Sequence, residues 1–76
     1  MDARQWAAEW VRRCEAVGLS VRWRGDRLKV AYPGLGGAEY DAAEVGAFLD
    51  RFLASRGVAA DRQLVLDVLH EIQAVG

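Results

Sequence analysis

The stretch VRWRGDRLKV, Val21 to Val30, decides the fold because it reads as a β-hairpin. Two runs of alternating apolar and polar residues flank Gly25 and Asp26. Glycine at the first central position of a two-residue loop suits a type II′ turn, since glycine accepts a positive φ. The pattern predicts a two-stranded antiparallel hairpin over residues 19–32.

The predicted register separates apolar from cationic side chains, because alternate residues of a strand point to opposite faces. The expected cross-strand pairs are Val21–Val30, Arg22–Lys29, Trp23–Leu28 and Arg24–Arg27. The apolar pairs would face a core. The four cations, Arg22, Arg24, Arg27 and Lys29, would form an outer basic face.

Three amphipathic helices are predicted around the hairpin, over residues 3–17, 42–56 and 62–75. Each follows an aspartate that can cap a helix N-terminus: Asp2, Asp41 and Asp61. Gly18 and Gly57 are typical stop residues. The third helix has an apolar face of Leu64, Val65, Val68, Leu69, Ile72 and Val75, with Leu66 almost opposite.

These elements predict a single small α+β domain over residues 1–76, in the order helix, two-stranded hairpin, helix, helix. The glycine-rich segment from Pro33 to Gly37 is predicted to be a loop. Trp6, Trp10 and Trp23 are expected in the core. The alternative is an aromatic patch at a dimer interface.

Composition narrows the class of protein. A hydrophobic fraction of 53% and a charged fraction of 28% favour a folded globule over a disordered chain. No apolar run approaches the ~20 residues of a membrane span, and the N-terminus does not resemble a signal peptide. We therefore expect a cytoplasmic protein that makes no membrane contact.

Charge is distributed unevenly along the chain although the net charge is only −1. Residues 1–32 contain seven Arg and Lys against four acids, whereas residues 33–76 contain three against seven. This asymmetry fits a basic surface with an acidic partner, or two copies meeting basic side to acidic side. A homodimer is a further expectation, because so small a core often gains stability by self-association.

Few residues could support catalysis or bind a cofactor. A single cysteine, Cys14, and a single histidine, His70, cannot complete a Cys/His metal site or an internal disulfide. The glycine-rich segment PGLGG has neither the GxxxxGK[ST] nor the GxGxxG pattern of phosphate-binding loops. We expect no enzyme activity, no cofactor and no metal.

The basic face has three readings. It could be a solvated surface whose charges protect a strand edge from aggregation. It could bind an acidic peptide that adds a strand to the hairpin and presents carboxylates to the cations. It could bind nucleic acid, although a net charge of −1 is far from the basic footprint of such domains. The peptide is the favoured ligand.

Three segments together resemble the TubC-type N-terminal docking domains, or β-hairpin docking domains, of nonribosomal peptide synthetases and hybrid megasynthases. They are VRRCEAVGLSV, VRWRGDRLKVAYPG and DAAEVGAFLDRFLA. The resemblance is carried by the apolar strand after Gly18, the Gly25-Asp26-Arg27-Leu28 turn, and Pro33-Gly34. It does not extend to the helix predicted over residues 62–75.

The resemblance implies a non-catalytic protein at the N-terminus of a synthetase subunit. Such a domain captures an acidic C-terminal segment of the upstream subunit by strand addition to the second hairpin strand, and members of the family can be homodimers. The residues at matching positions imply a peptide-binding set of Arg22, Arg24, Arg27, Lys29 and Ala31.

Overall fold

The computed structural model describes residues 1–59 and 61–75, with the side chain of Val75 outside that description. A helix leads into a three-stranded antiparallel sheet, and two helices follow. The elements are α1 (Ala3–Ala16), β1 (Ser20–Arg24), β2 (Arg27–Tyr32), β3 (Gly36–Asp41), α2 (Ala42–Ser55) and α3 (Arg62–Val75). The α+β class is as predicted, and each helix lies within one residue of its expected bounds.

The predicted hairpin register is confirmed. Arg24 pairs with Arg27, Trp23 with Leu28, Arg22 with Lys29, and Val21 with Val30. Gly25 has a φ of 64°, and no described residue other than glycine has a positive φ, which is the pattern of a type II′ turn.

The sheet has a third strand, so the prediction that it consists of the two hairpin strands alone is corrected. The segment predicted as a loop contains a tight turn, in which the Leu35 N–H donates to the Tyr32 carbonyl oxygen at 3.1 Å and Gly34 has a φ of 78°. The chain then runs back along β2 as β3. The sequence GGAEYD does not indicate this strand, because glycine, aspartate, glutamate and alanine all have low strand propensity.

The helix ends form by the local rules that the sequence predicts. Asp2 and Asp41 each take part in a capping box, with Gln5 and Glu44 as the reciprocal partners. The Asp61 carboxylate accepts from the Leu64 N–H at 2.7 Å. At the C-termini of α1 and α2, glycines of positive φ close Schellman motifs, with backbone bonds Leu19–Cys14, Gly18–Glu15, Val58–Leu53 and Gly57–Ala54.

The core lies between the inner face of the sheet and the helices. α1 packs against α3 and β1, while α2 packs against α3, β2 and β3. Among the residues whose side chains the structure describes, ten apolar ones are buried: Ala7, Trp10, Leu28, Val45, Leu49, Phe52, Leu53, Val68, Leu69 and Ile72. Trp6 and Trp23 are partly buried against this cluster, so all three tryptophans contact the core as predicted.

Gly37 marks a close approach between strands. A Cβ atom at this position would lie 2.6 Å from the Val30 carbonyl oxygen and 2.9 Å from the Ala31 Cβ. In helix α2, a Cβ on Gly46 would meet only the Val65 side chain, at the ordinary contact distance of 3.8 Å.

Substitution of these two glycines by alanine should therefore change the stability of the protein in opposite directions. We expect Gly37→Ala to lower the free energy of unfolding by about 1–3 kcal/mol, because β3 must move away from β2. Gly46→Ala should raise it by about 0.5–1 kcal/mol through helix propensity. Urea unfolding followed by circular dichroism measures both. An unchanged midpoint for Gly37→Ala would contradict the close pairing of β2 and β3.

Candidate functional site

The outer face of the sheet holds the four predicted cations. Arg22 and Arg24 lie on β1, Arg27 and Lys29 lie on β2, and all four are exposed. The register arranges this face in three rows across the strands. They are Arg24–Arg27–Asp41, Arg22–Lys29–Glu39 and Ser20–Ala31–Gly37.

Strand β3 adds two acids to this face that sequence reasoning missed. Glu39 pairs with Lys29, and Asp41 pairs with Arg27. Opposite charges directly across neighbouring strands are favourable by a few tenths of a kcal/mol each. One feature of the sequence could have indicated this pairing. Glu39 and Asp41 are two residues apart, as are Arg27 and Lys29, and this is the spacing of residues on one face of a strand. The charges of β2 are thus partly balanced within the molecule.

The two arginines of β1 have no such neighbours. On the sheet, Arg22 and Arg24 each have a single cross-strand partner, which is another cation. The ion pairs formed among residues 1–59 and 61–75 involve Glu9 with Arg12 and Arg56, so neither arginine of β1 takes part. Arg22 and Arg24 are therefore the cations of this face that have no acid on a neighbouring strand.

β1 is also an edge strand with a free backbone. Residues that flank a two-residue turn form a hydrogen-bonded pair, so Arg24 and Arg22 direct their N–H and C=O groups toward β2. The backbone groups of Val21 and Trp23 then point away from the sheet. In the described part of the chain, no hydrogen bond outside the sheet ladder engages either residue. This edge can accept another strand.

Strand addition to β2, the second hairpin strand, is not possible in this fold. β2 is the central strand and pairs with β1 on one side and β3 on the other. Ala31, proposed as a peptide contact, is half-buried between Ser20 and Gly37, and its carbonyl oxygen accepts from the Ser20 hydroxyl at 3.4 Å. The edge available beside the cations is that of β1.

Trp23 links this edge to the core. Its ring packs against the buried cluster, and its indole N–H is enclosed without a hydrogen-bond partner. Because Trp23 also presents free backbone groups at the edge of β1, its fluorescence should respond to a strand bound there.

The positions of Cys14 and His70 do not support a metal site or a nucleophilic site. Cys14 is half-buried on α1 and His70 is exposed on α3. Among the described residues, no group of three or more potential ligands could hold a metal ion. Within the same residues, no helix combines the length and the apolarity needed to cross a membrane.

The Cys14 thiol lies in an environment that disfavours its reactive form. Burial raises the pKa of Cys14, the negative charge of Glu15 raises it further, and the positive charge of Arg13 partly opposes both effects. The thiolate is the nucleophilic form, so a raised pKa makes the residue less reactive at neutral pH.

Alkylation by iodoacetamide should accordingly be slow. We expect the pH midpoint of the Cys14 alkylation rate to be higher in the folded protein than in urea, and Glu15→Gln to move that midpoint downward. Mass spectrometry of timed samples gives the rates. A folded-state midpoint at or below that of the unfolded chain would show an activated thiol instead.

Comparisons with known protein families, with characterised proteins and with solved structures found no match to this chain. The geometry of the outer face and of the β1 edge is therefore the basis for assigning a function.

Proposed function

We propose that this chain is a non-catalytic docking domain that captures an acidic linear segment of a partner protein along β1. The observation that carries the proposal is the coincidence of a free strand edge with two arginines, Arg22 and Arg24, that have no acid opposite them on the sheet. An extended segment adds to this edge as a fourth strand, and its carboxylates lie beside the guanidinium groups.

The spacing of the two arginines supports a particular pattern of acidic residues in the ligand. Arg22 and Arg24 are two residues apart on one face, so the matching segment has acidic residues at positions i and i+2. Exposed ion pairs contribute only about 0.2–1 kcal/mol each, and backbone hydrogen bonds about 1 kcal/mol each. A few of both, less the cost of ordering the segment, give a weak complex with a Kd on the order of 1 mM.

The biological setting of the proposal comes from the sequence resemblance alone. In that setting the domain is the N-terminus of a megasynthase subunit, and the acidic segment is the C-terminal end of the upstream subunit. The homodimer and the cytoplasmic location stay predictions from sequence. The peptide is favoured over nucleic acid, because a duplex that covers the whole face would meet Glu39 and Asp41 on β3, whereas a peptide along the β1 edge is separated from them by β1 and β2.

Reversal of the β1 charges should weaken peptide binding. We expect Arg22→Glu with Arg24→Glu to weaken the binding of an acidic peptide, with Asp or Glu at alternate positions, by at least about tenfold. The fold should be retained because both residues are exposed. Trp23 fluorescence or calorimetry at moderate salt measures the affinity.

A matched control is Arg4→Glu with Arg62→Glu, which changes the net charge equally at exposed helix positions. An equal loss of peptide affinity in both double variants would show that the effect arises from the overall charge. A duplex DNA oligonucleotide is titrated in parallel. Tighter binding of DNA, with a steep loss of affinity as salt is raised, would favour the nucleic-acid reading instead.

Strand addition can be separated from simple charge attraction. Val21→Pro removes an N–H that points away from the sheet, and proline is tolerated at such edge positions. We expect this variant to lose most of the peptide affinity at low salt while Arg22 and Arg24 are intact. Val21→Ala controls for the lost packing. Full affinity in Val21→Pro would show that the peptide binds the cations without pairing to β1.

A further inference from the structure

A second surface lies on the opposite side of the sheet from the basic face, where two apolar clefts join. The first, of about 330 Å³, lies between the C-terminal half of α1 and α2, and is lined by apolar residues that include Trp10, Val17 and Phe48. The second, of about 390 Å³, lies against the inner face of β2 and β3 near their turn.

The two clefts form one groove. Leu19 lines both of them. Tyr40 of the second cleft contacts Phe48 of the first, with the ring centroids 5.0 Å apart and the rings nearly perpendicular. We call this combined surface the apolar groove. It exists because the helices do not cover the whole sheet, so Ala38 and Tyr32 stay exposed while Leu28 is fully buried.

The rim of the apolar groove exposes large hydrophobic side chains. Leu35 is 84% exposed, Val17 is 61% exposed, and Tyr32 is 48% exposed. Isolated exposed hydrophobic residues are ordinary, but several that line neighbouring clefts are typical of a protein-binding surface. A small ligand within one cleft would leave the exposed side chains of the other cleft in water, so these residues favour a larger partner that covers both.

Two arginines set the charge of that partner. Arg13 lies on the α1 wall and Arg51 on the α2 wall, and the Arg51 guanidinium is 5.5 Å from the centre of the Phe48 ring. Neither arginine belongs to the ion pairs found among residues 1–59 and 61–75. The groove therefore combines an apolar floor with positive charge on two facing walls.

The floor also determines the partner's backbone conformation. It is made of side chains from the inner face of the sheet and from two helices. The edge strand β3 lines the second cleft, but the first cleft, where Arg13 and Arg51 lie, contains no strand residue. An extended peptide would lose water from its N–H and C=O groups without a partner for them. A helix satisfies its own backbone groups and can present an apolar face flanked by acids.

We propose that the apolar groove binds the apolar face of an acidic amphipathic helix from a partner protein, with carboxylates of the helix paired to Arg13 and Arg51. This docking surface is independent of the β1 edge, since it uses the other face of the sheet.

The test uses a synthetic helical peptide with leucines at i, i+4, i+7 and i+11 and glutamates on the flanking positions. A second peptide has lysine in place of every glutamate. Titration into the native protein is followed by the fluorescence of Trp10, which lines the groove, and by calorimetry. We expect the acidic peptide to bind, and the basic peptide to bind at least about tenfold more weakly.

Groove variants locate the binding site. Val17→Asp with Leu35→Asp, and separately Arg13→Glu with Arg51→Glu, should each weaken binding by about tenfold or more. The matched controls are Leu66→Asp, at an apolar residue 45% exposed on α3, and Arg4→Glu with Arg62→Glu. Neither control should change the affinity, nor should Arg22→Glu with Arg24→Glu on the basic face.

Several outcomes would overturn the proposal. They are no binding of the acidic helix at millimolar peptide, equal binding by the groove variants, or binding only of a small apolar anion such as anilinonaphthalene sulfonate. A dimer in light scattering that dissociates on Val17→Asp with Leu35→Asp would assign the groove to a second copy of this chain instead.

Discussion

The position of Leu28 at the centre of the sheet is the constraint on which the rest of the structure depends. Leu28 is fully buried, and it lies on the strand that pairs on both sides. Strand residues alternate between faces, so a shift of one residue would place Leu28 in water and a neighbouring cation in the core. Burial of this one side chain therefore fixes the outward position of Arg27 and Lys29.

Local physics explains which parts of the fold could be predicted from sequence. The Gly25-Asp26 turn, the capping aspartates and the helix periodicity each depend on residues close together in the chain, so hairpin register and helix bounds follow directly. β3 depends instead on pairing with a strand already formed, and GGAEYD has little strand propensity of its own. Because β3 was not predicted, the acids opposite Arg27 and Lys29 were not predicted either, nor was the absence of a free edge on β2.

The candidate site was accordingly predicted only in part. The four cations lie together on one exposed face, as the alternation of the hairpin requires. The difference in electrostatic surroundings between the four cations does not follow from the hairpin, because it arises from the third strand. Glu39 and Asp41 lie opposite the cations of β2, whereas Arg22 and Arg24 have only cations opposite them. The apolar groove was missed for a related reason, since helix periodicity identifies an apolar face but not how much of it the neighbouring elements cover.

The order of charges across the three strands gives the sheet a polarity from side to side. One edge carries Arg22 and Arg24 and the other carries Glu39 and Asp41. The positive edge of one molecule thus complements the negative edge of the next, and contact between unlike edges is heterologous, so it can repeat from copy to copy unless the rotation closes a ring. Concentrated protein at low ionic strength is thereby directed toward linear polymers, which the shortness of five- and six-residue edge strands opposes.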